Sequence, residues 1–211
     1  MFYLGLDLGR IRDPSALVAV ERIDHRRAFL GSSFDRLLVR YAGRMPLGMP
    51  YPRVVERVRA VVRSEELLGN CVLAADGTGV GAPVVDMLSA ARLGCEVCAV
   101  TITGGERGTL SSRFGASGQT AWSVPKQDLL AGLQLLLDEG RLKIAPMKET
   151  GRLVEELVNV KRTLNGSGRV RLGADGYGEH DDLAIALALA CWCAQRRHGE
   201  YGEGTRRLPG I

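Results

Sequence analysis

Alternation opens the chain. Leu4, Leu6 and Leu8 fall on one side of residues 2–9, and Gly5, Asp7 and Gly9 on the other. A period of two with one apolar side is the pattern of a strand. Glycines on either side of an acid leave its carboxylate accessible to a bulky ligand. After the turn Arg12-Asp13-Pro14-Ser15, the pattern predicts a second strand over Ala16–Ile23 and a third near Arg36–Ala42. Short links between three successive strands imply an antiparallel meander.

The period then changes. Pro50-Tyr51-Pro52 opens a segment with Val54, Val55, Val58, Val61 and Val62 on one side, an amphipathic helix closed at Gly69-Asn70. A fourth strand, Cys71–Ala75, finishes at Asp76; a helix over about Ala82–Arg92 and a strand over Glu96–Ile102 follow. Strand, helix, strand, helix, strand is the order of a parallel crossover half. Thr103–Val124, rich in Gly, Ser and Thr, reads as a long loop, functional or mobile. Pro125 starts a helix over Lys126–Glu139, closed by Gly140. A short strand over Leu142–Ala145 and a helix around Thr150–Leu157 come next. Asn165-Gly166-Ser167-Gly168 reads as a hairpin turn between Val158–Leu164 and Arg169–Leu172. The last helix is expected over about Asp181–Arg196. One domain over residues 1–197 is expected, with a flexible tail over 198–211.

Composition narrows this only a little. A chain of 211 residues suits one domain with a real core, and a net charge of +4 permits a polyanionic partner without demanding one. No apolar run is long enough to span a bilayer and no secretion signal precedes the first strand, so no membrane partner is expected. Five cysteines are read as reduced, mostly buried thiols of a cytoplasmic protein, a host's cytoplasm if the chain is phage-encoded. Cys95 and Cys98 form a Cys-x-x-Cys in a strand-like run, with no second pair to complete a zinc site.

The candidate chemistry lies in acids at the edges of apolar segments: Asp7, Asp76 and the pair Asp181-Asp182. Acids beside core segments are costly unless something compensates their charge, and a divalent metal does this well. Simpler roles stand beside that one. Asp7 suits a turn at a strand end, Asp76 before Gly77-Thr78-Gly79 suits a helix cap, and so does either of Asp181 and Asp182. Asp182 is favoured over Asp181 as a ligand because it lies nearer the helix, with the reverse assignment as the alternative. His180 reads as a surface or supporting residue. Lys126, at the start of its helix, is the candidate phosphate contact, and Arg107 and Arg113 in the glycine-rich segment are candidates for gripping a DNA backbone. Trp122 reads as packing.

A three-strand antiparallel meander, two crossover strands and helices describe an α/β, ribonuclease H-like fold with a mixed five-stranded sheet. In that topology the first strand is central with the fourth beside it, so Asp7 and Asp76 become neighbours, and a C-terminal helix can bring Asp182 against both. The motifs Gly-Leu-Asp-Leu-Gly, Asp-Pro-Ser-Ala-Leu-Val, Asp-Gly-Thr-Gly-Val-Gly, Val-Pro-Lys-Gln-Asp-Leu-Leu and His-Asp-Asp-Leu-Ala-Ile-Ala-Leu-Ala occur in this order over roughly residues 3–195. Together they resemble the nuclease domain of phage terminase large subunits. The resemblance implies that Asp7, Asp76 and Asp182 are metal ligands, with Asp181 an accessory ligand or a supporting acid. It implies a DNA endonuclease of the genome-packaging type using two Mg²⁺ or Mn²⁺ ions about 4 Å apart. The implied substrate is double-stranded DNA. The implied partners are an ATPase domain and a portal or small terminase subunit.

Terminase large subunits also carry a packaging ATPase, and no Gly-x-x-x-x-Gly-Lys-Ser/Thr occurs here. The chain is then either a nuclease domain of a longer protein or a stand-alone relative, for which only the nuclease activity carries over. Competing readings are a Holliday-junction-resolvase-like nuclease, a DNA- or portal-binding module with little activity of its own, and, from the Gly-Leu-Asp-Leu-Gly and Asp-Gly-Thr-Gly loops, a sugar kinase or actin-like ATPase.

Overall fold

The computed structural model describes residues 1–9, 13–23, 36–79, 81–104, 120–159, 161–164, 170–173 and 181–202. Three antiparallel strands come first: β1 (Phe2–Asp7), β2 (Ala16–Ile23) and β3 (Arg36–Arg44). Helix α1 (Tyr51–Val62) starts behind Pro50, whose fixed φ and missing N–H suit a helix entry. Then follow β4 (Cys71–Asp76), α2 (Gly81–Ala90), β5 (Glu96–Thr103) and β6 (Thr120–Pro125). The rest is α3 (Lys126–Asp138), β7 (Leu142–Ile144), α4 (Thr150–Asn159), a hairpin of β8 (Lys161–Leu164) and β9 (Val170–Gly173), and α5 (Asp182–Gly202).

The meander and the crossover half join in one sheet of order β6-β5-β4-β1-β2-β3-β7, with β1 at its centre and parallel to β4. This is the ribonuclease H-like arrangement read from the sequence, with two strands more than the five expected. β7 lies parallel to β3 at one edge and β6 parallel to β5 at the other. β6 falls in the stretch read as loop. Its Trp122 and Val124 alternate onto the core, but the glycines before them and Pro125 after them hide a six-residue strand. The turn over residues 165–168 lies outside the described residues, as do residues 203–211. α5 continues to Gly202, beyond the helix end expected near Arg196.

Each face of the sheet carries its own core. Leu4, Leu6, Leu17 and Leu73 face α1 and α2, meeting Val54, Val58, Val84 and Leu88. Tyr3, Val18, Val20 and Ala74 face α3, α4 and α5. Residues 183–191 of α5 are buried without a break, because the helix is enclosed by β1, β2 and β4 on one side and by α3 and α4 on the other. A helix apolar all round is a buried helix. Gly5 sets how closely α5 can lie. A Cβ there would fall on the carbonyl oxygen of Ala186 and 2.7 Å from the amide nitrogen of Ala190.

Trp122 is part of this packing. It meets Trp192 edge to face at 5.8 Å, and the Arg196 guanidinium lies 3.7 Å from its ring centroid. All five cysteines are free. Cys98 belongs to the core on the α5 face and Cys95 to the other, so the Cys-x-x-Cys pair is split across the sheet. Among the described residues, no helix is long and apolar enough to cross a membrane.

Candidate active site

Strand register alone joins two of the acids. Leu6 of β1 is level with Ala75 of β4, so Asp7 and Asp76, the last residues of both strands, end side by side. Neighbouring strands lie about 4.8 Å apart. Asp7 has the parity of Tyr3, and Asp76 that of Val72 and Ala74, all of which face α5. The pair sits at the carboxyl ends of adjacent parallel strands, where open α/β sheets bind ligands.

α5 brings the other two. Gly5 lies beneath Ala186 and Ala190, while Asp182 and Asp181 act on Asp7, so the helix runs antiparallel to β1 with its first residues at the end of the strand. The electrostatics of Asp7 reflect this convergence. Burial, then the carboxylates of Asp76, Asp182 and Asp181, push the Asp7 carboxyl well above the ordinary range, while Lys126 works in the opposite direction.

Each acid around Asp7 has a partner of its own. Asp76 Oδ1 accepts from the Thr78 amide at 2.8 Å and from the Thr78 hydroxyl, whose oxygen in turn accepts from Ile102 N at 2.8 Å. Asp76 therefore closes a local turn and does not cap α2, which begins at Gly81. Asp181 Oδ2 pairs with Lys126 Nζ at 2.7 Å. Asp182 Oδ2 lies 2.6 Å from Arg44 Nη2, which is also 2.6 Å from Glu156 Oε1. The loop after Asp7 is tied back as well. Gly9 N donates to Ser15 Oγ at 3.0 Å, and Gly9 and Ser15 line an open cleft of about 200 Å³ with Met49 and Tyr51.

Pattern reading named Asp7, Asp76, Asp181, Asp182 and Lys126, and the fold brings all five to one place. Arg107, Arg113 and His180 lie outside the described residues. Arg44, Glu156, Thr78 and Ser15 were not singled out. Glu156 left a trace, since it stands three residues after Leu153 on the apolar side of α4 and is buried with it. An acid in the middle of an apolar stripe needs a buried partner.

The donor set fits a hard divalent cation, being all carboxylate oxygen with one acid already burdened by three like charges. Among the described residues, however, no group of three or more His, Cys, Asp or Glu side chains stands in ready-made coordinating positions. Thr78, Arg44 and Lys126 each engage one of these acids, Asp76, Asp182 and Asp181 in turn.

A pH dependence follows. Burial raises Glu156 to about 7, against the opposing pull of the Ala184 amide and Arg44. Asp7 is raised as well. A raised acid favours the fold while protonated, so its contribution is complete below the ordinary value and is lost as pH climbs through the raised one. For Glu156 that window runs from 4.5 to about 7. Thermal melts in EDTA are expected to show stability falling across this window, by up to about 3 kcal/mol from Glu156. Mg²⁺ should restore the part due to Asp7. A melting temperature that climbs steadily over the same window would refute this.

No protein-family model and no curated protein matches the sequence. Solved structures do. The large terminase nuclease of thermophilic phage G20c, with bound cobalt, superimposes with a TM-score of 0.60 at 23% identity, over 91% of this chain and 80% of that one. The chain has the fold of the terminase nuclease domains. The nuclease domain of the bacteriophage SPP1 large terminase, with bound Mn, gives 0.55 at 17% identity, over 92% of this chain and 86% of that one. The human cytomegalovirus terminase nuclease domain, Mn-soaked and inhibitor-bound, gives 0.57 at 15% identity, covering 94% and 85%.

Proposed function

We propose that the chain is a metal-dependent DNA endonuclease of the terminase large-subunit type, acting in viral genome packaging. The observation that carries this reading is the meeting of Asp7, Asp76, Asp181 and Asp182 at one end of the sheet, from three elements far apart in sequence. The terminase fold and the cations named with its relatives support it. The finer proposal is a pair of Mg²⁺ or Mn²⁺ ions held by Asp7, Asp76 and Asp182, with Asp7 shared. When bound, such ions supply activation of the attacking water and charge neutralisation at the leaving 3′ oxygen.

The remaining work falls to the chain. Thr78 fixes the orientation of Asp76 from the β5 side. Asp181 holds Lys126 beside the acids, which puts a cation where the scissile phosphate of double-stranded DNA would approach. Lys126→Ala is accordingly expected to lower DNA affinity and to reduce the slope of log affinity against log salt by about one. An unchanged slope would remove Lys126 from the phosphate contact.

The activity itself is tested on supercoiled plasmid. Cleavage with Mn²⁺ or Mg²⁺, none in EDTA, and its loss in Asp182→Asn are expected. Cutting that survives Asp182→Asn would mean a different site or a contaminant. Tight DNA binding without cutting under any metal would point instead to a binding module.

A further inference from the structure

Helix α5 begins with two acids that its own N-terminus would normally consume. Asp181 is the N-cap, since its carbonyl accepts the first helical bond, from Ile185 N at 2.8 Å. An Asp at that position ordinarily turns its carboxylate onto the next unpaired amides, those of Leu183 and Ala184. Here it does not. Both amides donate to Glu156 Oε2, at 2.8 and 3.0 Å, from a residue of another helix. Glu156 Oε1 takes Arg44 Nη2 at 2.6 Å, and the same nitrogen lies 2.6 Å from Asp182 Oδ2. Glu156 is 5% exposed and Asp182 3%. A buried carboxylate with two amides and a guanidinium is a fully engaged group, and changes to it propagate to what it touches.

We infer that Glu156 is a positioning residue: it caps α5 from outside and, through Arg44, sets Asp182, leaving the Asp181 and Asp182 carboxylates for cation and Lys126. This rests on the nuclease reading of the site and names the groups that keep its acids available. Without Glu156, the Asp181 side chain folds back onto the Leu183 and Ala184 amides, as a local Asp cap does. Arg44, left with one acid in place of two, turns its donors wholly to Asp182. Both shifts withdraw carboxylate oxygen from the centre. Residues that orient metal-binding carboxylates from behind are typically worth about 10–100-fold in metal affinity or activity.

The test is Mn²⁺ affinity measured by calorimetry at pH 8, where Glu156 is ionised, on the full chain without DNA, for wild type, Glu156→Gln and Glu156→Asp, each checked for a cooperative melt. Glu156→Gln keeps the shape and loses the charge; Glu156→Asp keeps the charge and loses the reach. Both are expected to bind Mn²⁺ about 10–100-fold more weakly. In plasmid cleavage, kcat is expected to fall with KM for DNA little changed, because Glu156 acts on the acids and not on the nucleic acid. Should one variant fail to melt cooperatively, the other carries the comparison. Folded variants that bind Mn²⁺ like wild type would overturn the inference and leave Glu156 a structural cap. Wild type that binds no Mn²⁺ would overturn the nuclease reading and this inference together.

Discussion

Asp7→Asn is expected to abolish metal-dependent cleavage and, in the same protein, to raise the melting temperature in EDTA. Both effects have one cause. Asp7 ends the central strand and carries the combined repulsion of Asp76, Asp182 and Asp181 in addition to the cost of burial. Asn keeps the shape and removes the charge, so the metal-free fold loses a source of strain, worth roughly 2–4 °C for each kcal/mol in a chain of this size. The same change removes the ligand proposed to be shared, and a drop in rate of roughly a thousandfold or more is expected. Melting in EDTA at pH 8 and plasmid cleavage in Mn²⁺ measure the two sides. Retained cleavage would remove Asp7 from the centre; a lower melting temperature would mean that its carboxylate serves the fold. Active sites that trade stability for chemistry behave in the expected way.

Gly5→Val is expected to be the most damaging single change outside the acids. The added carbons would meet the backbone of Ala186 and Ala190, and backbone inside a helix enclosed on all sides cannot step back as a side chain can. Overfilling of this kind costs about 4 kcal/mol or more where nothing yields. A fall of at least about 8 °C in melting temperature is expected. Cleavage should fall too, since α5 carries Asp181 and Asp182 to Asp7. Gly151→Ala is the control. A Cβ there meets nothing within 4 Å, and Gly151 stands in the first turn of α4, so the change is expected to leave stability unchanged or raise it by roughly half a kcal/mol. A Gly5→Val protein that melts like wild type would show that α5 does not rest on β1 in this way.

These two residues also mark how far the sequence could be read. Gly5 and Asp7 alternate with leucines in a short strand, and strand order then makes Asp76 a neighbour of Asp7. The strands follow from local pattern and their order from the ribonuclease H-like topology, which is why the central five strands and the four acids were legible. β6 was not, because glycine-rich residues before it mask a brief alternation around Trp122 and Val124. The Arg44–Glu156–Asp182 chain was not legible either. Its members come from β3, α4 and α5, and no local period relates an arginine at a strand end to an acid 112 residues later. The capping rules pointed the wrong way for Asp76 and for the side chain of Asp181, because they assume that a helix start is served by its own neighbours. Thr78 engages Asp76 in a local turn, and Glu156 takes the α5 amides in place of Asp181.

The central claim is that Asp7, Asp76 and Asp182 together hold divalent cation. Crystals grown in Mn²⁺ and measured at the manganese absorption edge test it most directly. The expected result is anomalous density within bonding distance of all three carboxylates, in one or two peaks between β1, β4 and the start of α5. Density elsewhere, or none at saturating Mn²⁺ with the acids still held by Thr78 and Arg44, would contradict the claim.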